Sequence, residues 1–118
     1  MFRILPETDG NLIAVAALGK LTDADYTTFL PLVEAVIATH GKLHLYADLT
    51  EFEGWEWQAA YDDIAFGVKH WGDFERMAIV GDNRWEKLAA TIIDKLSQAD
   101  VKFFAADLRD DAMNWVRG

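Results

Sequence analysis

His40 and His44, the paired acids Asp62 and Asp63, and the run Gly81-Asp82-Asn83 are the positions whose residue types and spacing invite chemistry. His40 and His44 have the i, i+4 interval with which a helix offers two imidazoles to one metal. Gly41 falls between them and His44 belongs to an alternating, strand-like stretch, so the two should not share a face. His70 has no histidine and carboxylate company at ligand spacing, and no metal is expected. Asp62 and Asp63 would have to act as general acid and base, yet neighbours on a helix point about 100° apart. Acids on a polar helical face need no catalytic reason. Gly81, Asp82 and Asn83 precede a predicted helix and could cradle an anion, but the Asp82 charge opposes phosphate and helix capping accounts for both polar side chains. Ser97 is the single serine and there is no cysteine. No Gly-rich phosphate loop or nucleophile elbow is present either, so covalent and phosphoryl-transfer chemistry have no anchor. The expectation is a protein that is not an enzyme and carries no cofactor.

Aromatic surface is what the chain concentrates. Phe52, Trp55, Trp57, Tyr61, Phe66 and Trp71 crowd the stretch EFEGWEWQAAYDDIAFGVKHW, in a chain with five Trp, three Tyr and seven Phe in all. Large aromatics carry more contact energy than the packing of a small domain needs in one place, so the stretch reads as a surface for something apolar. On a helix turning from Trp57, residues Ala60, Tyr61, Ile64, Ala65, Val68 and Trp71 fall within about 80° and form an ordinary buried face. Trp55 and Phe66 land opposite, beside Gln58, Asp62, Asp63, Lys69 and His70. Either a neighbouring element covers these two residues, or they form an exposed patch or the lip of a cleft. Gly54 and Gly67 bracket the helix and would let it tilt, with Trp85 and Leu88 of the next helix as the other wall or as core.

Composition narrows the partners. The 118 residues, 52% of them hydrophobic, match one domain with one core, spanning 1–118. Twenty acidic against eleven basic residues give a net charge of −9, which repels nucleic-acid backbones and anionic lipid. Nucleic acid is excluded as a partner, and any membrane contact would be hydrophobic in origin. The opening MFRILPETDG has no basic leader or apolar export segment, and no run is long enough to span a bilayer. With no cysteine, a cytoplasmic location is the default, with peripheral membrane contact allowed by the aromatics.

The elements that must position these residues follow from periodicity. FRILPE and LIAVAALG, joined across the Asp-Gly turn in TDGN, read as a starting hairpin. LTDADYTTFLPLVEAVIATHG reads as a helix with capping candidates Thr22 and Asp23, an internal Pro31, and Gly41 as its stop. KLHLYADL alternates as a strand, and the aromatic segment follows as a helix. ERMAIVGD is a compact strand, NRWEKLAATIIDKLSQ a helix, VKFFAAD the last strand and RDDAMNWVRG a closing amphipathic helix. The order ββαβαβαβα predicts an α/β fold: a mixed, mostly parallel sheet of about five strands with about four covering helices.

That order, with ADLTEF after the third strand, AIVGDNRW at the fourth, and Ala112 and Trp115 in the closing DDAMNWV, resembles the SpoIIAA-like family within the STAS (sulfate transporter and anti-sigma factor antagonist) fold. The resemblance covers nearly the whole chain. In anti-sigma antagonists the turn after the third strand carries a serine that a partner kinase phosphorylates. The matching stretch here, Asp48 to Trp55, has no serine, and Thr50 is its nearest hydroxyl. Glu51 and Glu53 beside Thr50 oppose an added phosphate, so no phosphoswitch is expected. The SpoIIAA-like resemblance implies instead helices that move between open and closed arrangements, a nonpolar ligand, and association with membranes.

The sequence-level expectation is therefore a noncatalytic STAS-like domain that binds a nonpolar or lipid-like molecule, or touches a membrane, through Trp55, Trp57, Tyr61, Phe66, Trp71, Trp85 and Leu88. The alternative is a regulatory or protein-interaction module, a homodimer or a partner-binding domain, with the same aromatics as interface.

Overall fold

Strand alternation and two well-marked helix ends account for most of the architecture. A computed structural model describes residues 1–55, 73–85 and 99–118. The strands are β1 (Phe2–Ile4), β2 (Leu12–Leu21), β3 (Leu43–Trp55), β4 (Phe74–Gly81) and β5 (Asp100–Ala105), laid side by side in chain order in one sheet. β1 runs antiparallel to β2, and the β2–β3, β3–β4 and β4–β5 pairs are all parallel. The predicted α/β class, the starting hairpin and the five-stranded mixed sheet are thus present.

Two α-helices lie among the described residues, α1 (Asp23–His40) and α2 (Arg109–Arg117). Of the two further helices predicted from the sequence, the aromatic segment and NRWEKLAATIIDKLSQ, residues 56–72 and 86–98 lie outside the described residues; Asn83–Trp85, at the start of the second, form a 3-10 turn. α1 begins with a capping box: the Thr22 hydroxyl accepts from the Asp25 amide while the Asp25 carboxylate accepts from the Thr22 amide. Burial alone would raise the Asp25 carboxyl, but the hydrogen bond from the Thr22 amide and the Met1 ammonium 3.1 Å away outweigh it and hold the group below its usual value. The helix passes through Pro31 and stops at Gly41, whose φ of 78° is left-handed backbone that glycine adopts without steric cost.

The sheet is covered differently on its two faces. Ile13, Val15 and Leu43 pack under Val33 of α1, and the same face continues into a second cluster of Ala17, Leu21, Leu49, Phe52, Met77 and Ile79. On the other face Leu12, Ala14, Tyr46, Ala78 and Val80 meet Ala112 and Val116 of α2. Alternation along β3 sends Leu43 and Leu45 to the α1 face, while His44 and Tyr46 face α2.

β3 departs from the sequence expectation. Its alternation reads as finished near Leu49, with a turn and a helix to follow, yet the strand runs on through Thr50 to Trp55. The register against β2 slips between Ala16 and Leu18 and again between Gly19 and Lys20, leaving two extra residues on β3. Each extra residue moves the following side chains to the opposite face, so Leu49 and Phe52 join the same cluster despite their odd spacing. A bulged strand has no strict period of two, which is why its second half resembles a turn in the sequence. Trp55 accordingly closes a strand, opposite Leu21 of β2, and its place on the helical projection from Trp57 is not kept.

Candidate ligand-binding site

Parallel strands that end together leave a crevice at their carboxyl ends, where α/β sheets commonly bind ligands. Here β4 and β5 end side by side, Gly81 opposite Ala105, while β3 runs on past them to Trp55. An open depression of about 570 Å³ lies at the ends of β4 and β5, lined by Gly81, Asp82, Asn83, Phe103, Ala105, Ala106 and Asp107. Phe103 and the two alanines make its apolar part, with Asp82, Asn83 and Asp107 at the polar rim.

Beside it sits an aromatic pair. Phe52, 1% exposed, packs on Trp85 with ring centroids 4.6 Å apart and a 33° tilt. Trp85 closes a 3-10 turn, Asn83–Trp85, whose backbone is held by the Trp85 amide donating to the Asp82 carbonyl. The absence of a side chain at Gly81 matters here. A Cβ on it would stand 3.2 Å from Trp85 Cδ1 and 3.6 Å from Phe103 and from the Leu49 Cβ. Glycine thus lets the indole close over the strand end and joins the depression to the Leu49, Phe52 and Ile79 cluster.

On the α2 face of the same strand end, one polar network is complete. Asp48 Oδ1 accepts from the Thr50 amide (2.9 Å) and hydroxyl (2.7 Å), and Asp48 Oδ2 accepts from Arg109 Nε (3.0 Å). Arg109 also donates to the Thr50 hydroxyl (2.9 Å) and to the Ala106 carbonyl (3.3 Å). Burial pushes the Asp48 carboxyl up, but the Thr50 and Arg109 hydrogen bonds overcome it and hold the group below 3.8. Arg109 is held above its usual value, chiefly by its hydrogen bond to Asp48. The neighbouring Tyr46 phenol is raised, first by burial and then by the Asp48 charge.

The far end of α2 is tied down by a different set. His44, 7% exposed, faces the Val116 carbonyl through Nδ1 (2.5 Å) and the Glu75 carboxylate through Nε2 (3.2 Å). Because a carbonyl only accepts, Nδ1 is the donor of that bond. Arg76 donates to the Trp115 carbonyl (2.7 Å), and Arg76 and Lys102 lie 5.4 and 5.2 Å from the centre of the Trp115 ring. These groups satisfy carbonyls that a helix C-terminus leaves open.

Of the sequence-derived site residues, the structure places Trp85 at the strand-end cluster and the Trp55 backbone at the end of β3. Trp57, Tyr61, Phe66, Trp71 and Leu88 lie outside the described residues, as do Asp62, Asp63, His70 and Ser97. His40 is exposed at the end of α1 and His44 is buried on β3, so the pair does not share a face. Among the described residues no group of three or more His, Cys, Asp or Glu is placed to hold a metal. Thr50 sits on a bulged strand, bonded to Asp48 and Arg109, instead of in an open turn. Sequence reasoning missed Arg109, Phe103 and the Ala105–Asp107 rim. One signal pointed to Arg109: a cation in the first turn of a helix opposes the helix dipole, so it calls for a tertiary partner.

A five-stranded mixed sheet with this strand order and an α2 packed across its parallel half defines a STAS-like α/β module, a kind of domain that binds or regulates. The SpoIIAA-like family model matches residues 12–117, and the chain belongs to the SpoIIAA-like family. Its structure is similar to the crystal structure of an uncharacterized protein of the DUF3478 family with a SpoIIAA-like fold from Shewanella loihica PV-4. The two are 31% identical with a TM-score of 0.78, and the match covers 98% of this chain and 92% of that one. No curated protein matches the chain.

Proposed function

We propose that the protein is a noncatalytic binding module that takes a nonpolar, lipid-like ligand at the carboxyl end of its parallel strands and touches membranes through the aromatic segment after β3. The observation that carries this reading is the open depression floored by Phe103 and joined, across Gly81, to the Phe52–Trp85 pair. The aromatic run from Trp55 to Trp71 starts where β3 delivers the chain to that same end of the sheet. Among the described residues no helix is long and apolar enough to cross a membrane, so lipid contact in this reading is peripheral.

Magnitudes select the ligand class. Each methylene removed from water contributes about 0.8 kcal/mol, while association costs at least about 4 kcal/mol before any affinity appears. A short-chain ligand therefore gains too little, and a chain of about fifteen methylenes gains enough for micromolar binding.

Tryptophan emission tests the reading. Phosphatidylcholine vesicles or oleic acid should shift the emission to the blue and raise its intensity. Trp55→Ala and Phe66→Ala should abolish the response while leaving the far-ultraviolet circular dichroism unchanged, and Trp115→Phe, on the α2 face, should retain it. An emission spectrum unmoved by both additions would overturn the reading, and a concentration-dependent dimer in sedimentation would favour the aromatic segment as a protein interface.

A further inference from the structure

Arg109 connects parts of the chain that are distant in sequence and adjacent at the proposed site. Its three nitrogens reach Asp48, Thr50 and the Ala106 carbonyl. Ala106 lines the depression, between Ala105 and Asp107. Asp48 and Thr50 sit at the first bulge of β3, four and two residues before Phe52, which packs on Trp85. Trp85 in turn lies against Gly81, another lining residue. Two lining residues are thus held from behind: Ala106 by Arg109 and Gly81 by Trp85 with Phe52 beneath it.

We infer that Arg109 is the positioning residue of this site: by clasping the bulge of β3 to the β5–α2 junction, it sets where Ala106 stands as a wall for the ligand and keeps Phe52 packed behind Trp85 and Gly81. This rests on the binding reading above and deepens it. The network has no slack. The Thr50 hydroxyl gives its single proton to Asp48 and accepts from Arg109, while both Asp48 oxygens are engaged. A bulge is the point where a strand can slip by one residue, and a slip there would carry Phe52 to the other face of the sheet. Asp48 and Thr50 hydrogen-bond each other locally, as Asx turns do, but that local bond leaves the bulge unattached to the rest of the fold. Arg109 supplies the attachment with two parallel contacts from one planar group, a geometry that lysine does not reproduce. Coupling of this kind is reciprocal, so ligand in the depression should also hold the clasp closed.

The test compares wild type with Arg109→Gln, Arg109→Lys and Thr50→Val, using the neutral fluorophore N-phenyl-1-naphthylamine as probe and amide hydrogen exchange as second readout. Arg117→Gln removes the same charge from the other end of α2 and serves as control. The expected result is probe binding weakened about fivefold or more in Arg109→Gln, the low end of ordinary coupling between sites, and unchanged in Arg117→Gln. The probe should slow amide exchange at residues 50–52 and 105–107 in wild type and fail to do so in Arg109→Gln, with Arg109→Lys intermediate. Unchanged probe affinity in Arg109→Gln, with faster exchange at those amides, would overturn the inference and leave Arg109 a purely structural tie. If wild type itself does not bind the probe, the binding reading fails. The positioning role then falls with it, and acceleration at 50–52 and 105–107 in Arg109→Gln would show Arg109 to be a structural tie alone.

Discussion

Three side chains, Asp48, Thr50 and Arg109, decide the chemistry at the first bulge of β3. Asp48 is an acceptor for three donors, and the network keeps its folded-state carboxyl below the ordinary 3.8. A carboxyl with a depressed folded value adds stability above the unfolded value and loses it as the pH falls through the folded one. The Asp48 contribution should therefore be complete near neutrality and disappear below about pH 4. Asp48→Asn is expected to cost about 1 to 3 kcal/mol at pH 7, because a charged acceptor of several hydrogen bonds is replaced by a weaker one. It should also flatten the acid limb of a stability-against-pH curve measured by urea unfolding, leaving the slope that Asp25 contributes. An acid limb identical to wild type would show that the Asp48 network adds nothing to the folded state. His44 illustrates the opposite lesson at this scale. Its spacing from His40 invites a metal, but its ring is spent on the Val116 carbonyl and Glu75, where it secures the end of α2.

At the scale of elements, the ends of α1 and of β4 were legible and the end of β3 was not. Thr22, Pro31 and Gly41 carry their structural meaning locally, through a hydroxyl that caps, a ring that fixes φ and a residue that tolerates left-handed backbone. Thr22→Ala should accordingly destabilise the protein by about 1 kcal/mol in denaturant unfolding, since it removes the hydroxyl that accepts from the Asp25 amide. An unchanged midpoint would mean that the Asp25 contact alone holds the helix start. β3 shows why the rest was hidden. Its bulges are set by how β2 lies alongside, and register between strands about thirty residues apart leaves no local signature. The same bulges turn the stretch that aligns with a phosphorylated turn in anti-sigma antagonists into strand, with Thr50 bound up in the Arg109 network.

At the scale of the whole molecule, net charge is the test of the proposed membrane contact. A net charge of −9 opposes anionic bilayers, and only apolar contact favours docking. Binding to anionic phosphatidylglycerol vesicles should thus be weaker than to phosphatidylcholine at low salt. It should approach the phosphatidylcholine value at 1 M salt, where the screening length falls to about 3 Å. Vesicle binding that weakens with salt would point to an electrostatic contact and against the aromatic segment as anchor. The sequence by itself determined the α/β class, the starting hairpin, the parallel later strands, the ends of α1 and the charge, because periodicity, capping and composition act over a few residues or over the chain as a sum. Tertiary structure alone decided that β3 continues to Trp55, that Gly81 admits Trp85 beside Phe103, and that Arg109 finds Asp48 across 61 residues. Those outcomes depend on which surfaces the folded sheet brings within a few ångströms of one another, and contacts of that range are written in no single stretch of the chain.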